Sequence, residues 1–547
     1  MKSLIASLLL CALSIHVSAA SPKADPATLK AHVEFLADDL LEGRETGTRG
    51  HDIAARYVAS QFAQAGLQPR GDARTFFQRV PFRSTHLLPN ASELELVGPG
   101  DPERYKLGED FFVAPSRHVE SSHATAEVVY AGHGIAAPHL GVDDYAELDV
   151  KGKFVMVLAG VPAFLGGDEG AHFANARLKQ EAAAERGAIG LITLQTPVNE
   201  MLVPFAQGLI NVQFRTAAWL DETGKPHGGG TAVPYLATFS LAGAEKLVGR
   251  GGASMAGLIS RANERLPPQR VDIGAKVRIA SRTRLREVSS PNVVGVVEGG
   301  DPALKDEYVV MTAHLDHLGM VEGKSGDNIY NGALDNATGV AVIAEAARVI
   351  AAMPSRPKRS ILFVAMTGEE AGMLGSEYLV SRLQAANVAM VANVNIDMPI
   401  VTYDFHDICA VGADNSSIGE LIAKVARSRG VPTSPDPHPE RRRFTRSDQY
   451  SFVKAGIPAA FLLTGVDSMT EKGAGRAARN EIEQRHYHRV SDDSSLPINY
   501  AAAARFADLS AAIVLELANS PTRPRWKAGN FFGDTFGKLE ARNTAAK

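Results

Sequence analysis

The chain has 547 residues, with 57 Lys and Arg against 61 Asp and Glu and a formal charge of −4, which excludes the strongly basic balance of a nucleic-acid or anionic-membrane partner. Its hydrophobic content of 45% is that of a globular protein, and the length sets an expectation of two or three compact units.

In chain order, the first signal is Lys2 ahead of the apolar run Leu4 to Leu13, followed by the small residues Val17-Ser18-Ala19. This is the pattern of an export leader over residues 1–19, and it predicts a secreted or periplasmic product starting near Ala20. No later stretch is apolar over the ~18 residues that a membrane span needs. Of the two cysteines, Cys11 falls in the leader. Cys409 is left without an internal disulfide partner.

Apolar residues then recur at helical spacing in Leu29, Val33, Leu36 and Leu40, and again in Ile53, Tyr57, Val58 and Phe62. Two helices joined by a loop from Gly43 to Gly50 are expected. From Glu127 the texture changes to short Val-rich runs such as Val128-Val129-Tyr130 and Phe154 to Leu158, separated by Gly, Pro and Asp. With a helical pattern at Ala174 to Arg186 and the apolar run Ile189 to Leu194, these runs read as a smaller mixed α/β unit.

After Pro291 the order becomes strand, helix, strand: Asn292 to Val297, Tyr308 to Thr312, Ala337 to Ala351, Ile361 to Thr367, Gly375 to Gln384, Val391 to Ile396. Alternation of this kind predicts an α/β domain with a mostly parallel sheet covered on both faces. Ligands of such sheets collect at the carboxyl ends of the strands. His314, the pair Glu369-Glu370, and Asp397 each stand just after an apolar run.

Each of these residues has a plain structural explanation. Asp335, in the Gly-rich turn Asn331 to Gly339, is an ordinary helix N-cap type, and Glu369-Glu370 suits a solvated helix start. Together they do not. Four carboxylates (Asp335, Glu369, Glu370, Asp397) at neighbouring strand ends repel one another unless cations sit among them. Imidazole with carboxylate favours zinc over calcium or magnesium. In His314-Leu315-Asp316 the imidazole and the carboxylate share a face, so Asp316 is expected to orient His314.

These segments resemble the co-catalytic di-zinc aminopeptidases, whose relatives include glutamate carboxypeptidase II and the transferrin receptor. The resemblance rests on His314-x-Asp316, Asp335-Asn336, Glu369-Glu370, Asp397, and Tyr487-His488 before Asp492-Asp493. It implies a three-layer zinc-peptidase domain and two zinc ions per chain, with His314 and Asp397 on one, Glu370 and His488 on the other, and Asp335 bridging them. It further implies Glu369 as the base that activates water and Tyr487 as a donor to the oxyanion.

Residues 125–275, with Tyr130 to Ile135 and Asp143-Asp144-Tyr145, are similar to the protease-associated domain inserted in this family. The expected division is a leader at 1–19, an N-terminal part of the peptidase domain at 20–124, the insert at 125–275, and the catalytic part at 276–547. Phe444 to Tyr450 is similar to a family loop in which His often stands where this chain has Gln449. Glu440-Arg441-Arg442-Arg443 reads as an exposed charged loop, with binding of a substrate carboxylate as its alternative. Asn336-Ala337-Thr338 fits a glycosylation sequon but adjoins the expected bridging ligand, so it is rejected as one.

The expected activity is removal of N-terminal residues from peptides. The alternatives are a carboxypeptidase or dipeptidase on the same scaffold, or a non-catalytic receptor-like binding protein.

Overall fold

The computed structural model describes residues 22–88, 90–227, 233–321, 323 and 325–537. The leader read at residues 1–19 therefore lies outside the described residues. Among the described residues no helix is long and apolar enough to cross a membrane.

The helix Pro26–Leu36 starts where Pro26 follows Asp25, whose carboxylate accepts the Thr28 N–H, the preferred chemistry of a helix start. It ends before Leu40, because Asp38 accepts the Leu40 N–H and turns the chain into a short 3-10 segment. Leu40 is consequently 83% exposed, although its spacing matched the buried Leu29, Val33 and Leu36. The second helix, Arg49–Gln64, is capped by Thr48. The helical pattern at 174–186 forms the helix Ala176–Glu185, capped by Asn175, and a separate short helix, Gly167–Phe173, precedes it.

The large sheet runs Thr216–Trp219, Phe77–Leu87, Lys276–Val297, Ser360–Met366, Glu307–His314, Ala389–Ile396, Ala459–Thr464, Ile408–Val411 and Thr433–Ser434. The four strands from Ser360–Met366 to Ala459–Thr464 are parallel. Strands on both flanks join them antiparallel, so the sheet is mixed and its parallel centre carries the site.

The centre reads as unbroken apolar runs because it is buried on both faces. In Ser360–Met366, Ile361, Phe363 and Ala365 face one core, with the helices Pro26–Leu36, Thr338–Ala351 and Tyr500–Asn519. Leu362, Val364 and Met366 face the other, with Leu379, Val380 and Phe452. A buried side chain of this size contributes roughly 1.5–3 kcal/mol, so the strand termini beside the site are firmly placed.

A second sheet contains Phe111–Val113, Tyr235–Phe239, Gly190–Leu194, Phe154–Leu158 and Val128–Tyr130 around its own core. Its first strand precedes residue 125. The 22-residue strand Lys276–Val297 links the two regions. Its first half pairs with Glu93–Val97 and Ser121–Ala126, and its last residues pair with Ile361 to Ala365. Across the seam, Glu377 accepts from Arg177 at 3.0 Å and from the Trp219 indole at 3.2 Å, and pairs with Lys454 at 3.3 Å.

Candidate metal centre

His314 is the last residue of Glu307–His314 and is buried. Its Nδ1–H donates to the main-chain oxygen of Asp316 at 3.0 Å, which directs Nε2 away from the strand. The Asp316 carboxylate, expected to orient this imidazole, does something else. It accepts the Glu369 and Glu370 N–H groups at 3.1 and 3.3 Å and the Thr46 hydroxyl at 3.0 Å. Asp316 thus orients His314 through its backbone, and its side chain fixes the two glutamates.

The turn that delivers Asp335 is built around two glycines. A Cβ on Gly332, at φ 61°, would lie 2.1 Å from the Asp335 oxygen, and one on Gly339 would lie 2.0 Å from Asn336 Oδ1. Asn336, joined to Asp335 by a cis peptide, accepts the Gly339 and Met398 N–H groups and donates to the Ile396 oxygen. Asn336 therefore caps the helix Thr338–Ala351, leaving Asp335 free of that duty. It also ties the turn to the strand end carrying Asp397, and it is fully buried. Asp492 accepts the Leu334 and Asp335 N–H groups at 2.8 and 3.0 Å.

His314 Nε2 lies 3.1 Å from Asp335 Oδ1 and 3.2 Å from Asp397 Oδ1. On the other side, His488 Nε2 lies 3.4 Å from Asp335 Oδ2 and 3.2 Å from Glu370 Oε2. Five side chains from five segments thus form two triads that share Asp335, one oxygen to each. His488 sits at φ 54°, a left-handed conformation uncommon for a residue with a Cβ. Tyr487 stacks on its ring at 3.9 Å between centroids.

The set fits a pair of metal ions. Nitrogen and oxygen ligands each about 2.0–2.2 Å from one tetrahedral zinc lie about 3.4 Å apart, and the four separations are 3.1–3.4 Å.

The electrostatics agree with that fit. Burial alone would push Asp335 up, but hydrogen bonds with His314 and His488 hold it well below the usual carboxylate range. Burial likewise opposes ionisation of Glu370, yet the charge of His488 and the contacts with His317 and His488 hold it at about 2. Burial lowers His314, but Asp397 and Asp335 outweigh it and raise the imidazole well above its ordinary value. Both carboxylates are thus held ionised against burial, as ligands must be.

Glu369 differs. Burial first, then the neighbouring Asp397, Glu370 and Asp448, push it well above the usual range. Among the described residues no hydrogen bond or ion pair engages its carboxyl group.

Three contributors went unread in the sequence. His317, fully buried, places Nδ1 2.7 Å from Glu370 Oε1 and 4.0 Å from Asp335 Oδ2. Its signal was its place in His314-Leu315-Asp316-His317. Arg44, also buried, donates to the main-chain oxygens of Leu36, Leu315, Asn331 and Gly332, bracing the ends of both segments that supply His314 and Asp335. Thr46 holds Asp316. Gln449 has a framework role: it accepts from Asn395 and donates to the Phe444 oxygen, both at 2.9 Å.

Replacing Asp492 by Ala leaves the buried Leu334 and Asp335 N–H groups without acceptors, at about 1–3 kcal/mol each. The midpoint of the first denaturant transition should fall by an amount equivalent to about 2–6 kcal/mol. Asp492→Asn should lie between, since it keeps one acceptor. An unchanged midpoint in Asp492→Ala would show that the turn holds itself.

Residues 292–514 match the model of Peptidase family M28. Over 243 residues the chain is 30% identical to leupeptin-inactivating enzyme 1 of Streptomyces exfoliatus, covering 43% of this chain and 50% of that protein. Over 248 residues it is 27% identical to aminopeptidase YwaD of Bacillus subtilis (strain 168), covering 43% and 47%. The chain spans about half the length of these curated relatives. The aminopeptidase from Aneurinibacillus sp. strain AM-1 shares the fold, with a TM-score of 0.53 at 20% identity over 92% of this chain and 95% of that one.

Proposed function

We propose, from the match of residues 292–514 to the model of Peptidase family M28, that the chain is a zinc-dependent aminopeptidase cleaving the N-terminal residue from peptides. One observation carries the reading: two His and carboxylate triads share Asp335 at the strand ends, beside Glu369, whose carboxyl group has no hydrogen bond or ion pair among the described residues. The curated relative named as an aminopeptidase supports it. The leader expected at residues 1–19 supports export.

His314 with Asp397 and His488 with Glu370 would hold one ion each, with Asp335 common to both. When bound, zinc supplies Lewis acidity toward water and the scissile carbonyl. Glu369 takes the proton of the attacking water and keeps it for the leaving amine. Asp316 holds Glu369 and Glu370 by their N–H groups, so base and ligand stay in fixed relation. Tyr487, whose ring stacks on His488, is the donor we assign to the developing oxyanion.

We read residues 125–275 as a wall of the cleft. Phe214 packs edge-on against Tyr330 at 4.9 Å, and Arg215 pairs with Glu45 at 2.7 Å. Both line the pocket that also contains His317, Glu370 and His488.

Elemental analysis of the purified protein should find about two zinc ions per chain. Chelation should abolish release of p-nitroaniline from aminoacyl-p-nitroanilides, and added zinc should restore it. Activity indifferent to the chelator would end the zinc reading. Cleavage confined to blocked peptides with free carboxyl ends would favour the carboxypeptidase alternative.

A further inference from the structure

A second pocket opens on the other side of the proposed centre, between Asp397 and Tyr487, with room of about 90 Å³. That is space for one side chain rather than a length of peptide. It is lined by the apolar Met398, Ile400, Phe461 and Leu463 and by Arg441, Arg443, Arg446 and Arg479 with Glu483.

The arginines are unequally matched. Glu483, only 7% exposed, takes Arg441 at 3.2 Å, Arg443 at 2.5 Å and Arg479 at 3.3 Å. Arg443 reaches Asp436 at 3.1 Å with its other nitrogen, and Arg479 donates to the Thr464 oxygen. Arg446 has only the main-chain oxygen of Arg441 at 3.5 Å among the described residues. Four guanidiniums therefore face two paired carboxylates. Arg441, Arg443 and Arg479 each have a carboxylate partner, whereas Arg446 has none within ion-pair distance among the described residues, and Asp397 is engaged by His314 at 3.2 Å. Within the run Glu440 to Arg443, Glu440 stays exposed at 54% while the Arg443 side chain turns inward, at 13%. Cations gathered in a partly buried place call for an anion, and a guanidinium with free N–H groups matches a carboxylate.

We propose that this pocket binds a carboxylate on the substrate residue next to the scissile bond, with Arg446 as the group that reads it. The proposal rests on the peptidase reading above and names the substrates that site prefers. A carboxylate so placed comes either from an acidic N-terminal side chain or from the free main-chain carboxyl of a dipeptide. In both cases the apolar walls take the methylenes and the arginines take the charge.

Two matched pairs separate these sources: Glu- against Gln-p-nitroanilide, which differ only in the side-chain charge, and Ala-Ala against Ala-Ala amide, which differ only in the terminal one. The zinc-loaded full chain should favour the acidic member of at least one pair by about tenfold or more in kcat/KM. Arg446→Gln should cut that ratio by about tenfold. Arg446→Glu should turn the preference toward Lys-p-nitroanilide. Arg446 is exposed, so both variants should fold. Which pair responds identifies the source of the carboxylate. If the neutral members are cleaved as well as the acidic ones in both pairs, or if Arg446→Gln leaves the ratio unchanged, the inference falls and the peptidase reading stands. If no member is cleaved at all, the peptidase reading falls and takes the inference with it.

Discussion

Glu369→Gln should leave the protein folded and metal-loaded while slowing turnover by about a hundred- to ten-thousandfold, the usual loss when a positioned general base is removed. The position of residue 369 is set by its main chain. Its N–H donates to Asp316, and its carbonyl accepts from Gly372 and Met373. The side chain takes part in no ion pair among the described residues, whereas its neighbour Glu370 meets both His317 and His488. Glutamine keeps the size and the hydrogen-bonding capacity but cannot accept the proton of water. KM should move little, because the lost interaction belongs to the transition state. Steady-state kinetics with zinc content measured on the same sample decides the matter. Loss of metal would mean that Glu369 is a ligand, and activity within a few-fold of the parent would remove it from the chemistry.

The parts of the site that could be read in the sequence are those fixed by local signals. Strands buried on both faces give unbroken apolar runs such as Ile361 to Met366, and the polar residue that ends such a run is conspicuous: His314, Glu369-Glu370 and Asp397 were found that way. The repulsion expected among four carboxylates points to cations from the sequence alone.

What escaped depends on contacts between residues far apart in the chain. Arg44 acts on Leu315 and on Asn331-Gly332, some 270 to 290 residues away, and nothing in its neighbourhood of the sequence marks it. The Asp316 carboxylate looked committed to His314 because two residues on an extended chain share a face. The strand ends at His314, however, and beyond it the Glu369 and Glu370 N–H groups are better placed to claim that carboxylate. Leu40 matched a helical period, but Asp38 closes the turn first. Glu483 could not be foreseen as the partner of Arg443, because 40 residues and a change of direction separate them.

Asp335→Ala should be the most damaging single change, because this residue alone among those described belongs to both triads. Its Oδ1 lies 3.1 Å from His314 Nε2 and its Oδ2 lies 3.4 Å from His488 Nε2. Without it, one half of the centre retains His314 with Asp397 and the other His488 with Glu370, two protein ligands each. Zinc sites in proteins ordinarily use three or four, so neither half should keep its ion through dialysis. His488→Ala is the matched control. It removes one imidazole from one triad and leaves His314, Asp335 and Asp397 together, so it should retain about one zinc per chain where Asp335→Ala retains about none. Both variants should lose hydrolysis, and added zinc should recover part of it only in His488→Ala, where one triad is whole. The turn should persist in Asp335→Ala, since Asp492 holds it through main-chain N–H groups and Asn336 through the Gly339 and Met398 N–H groups, so a folded variant is available for measurement. If Asp335→Ala and His488→Ala retain equal amounts of zinc after the same dialysis, Asp335 serves one ion only and the shared-ligand reading of the centre is wrong.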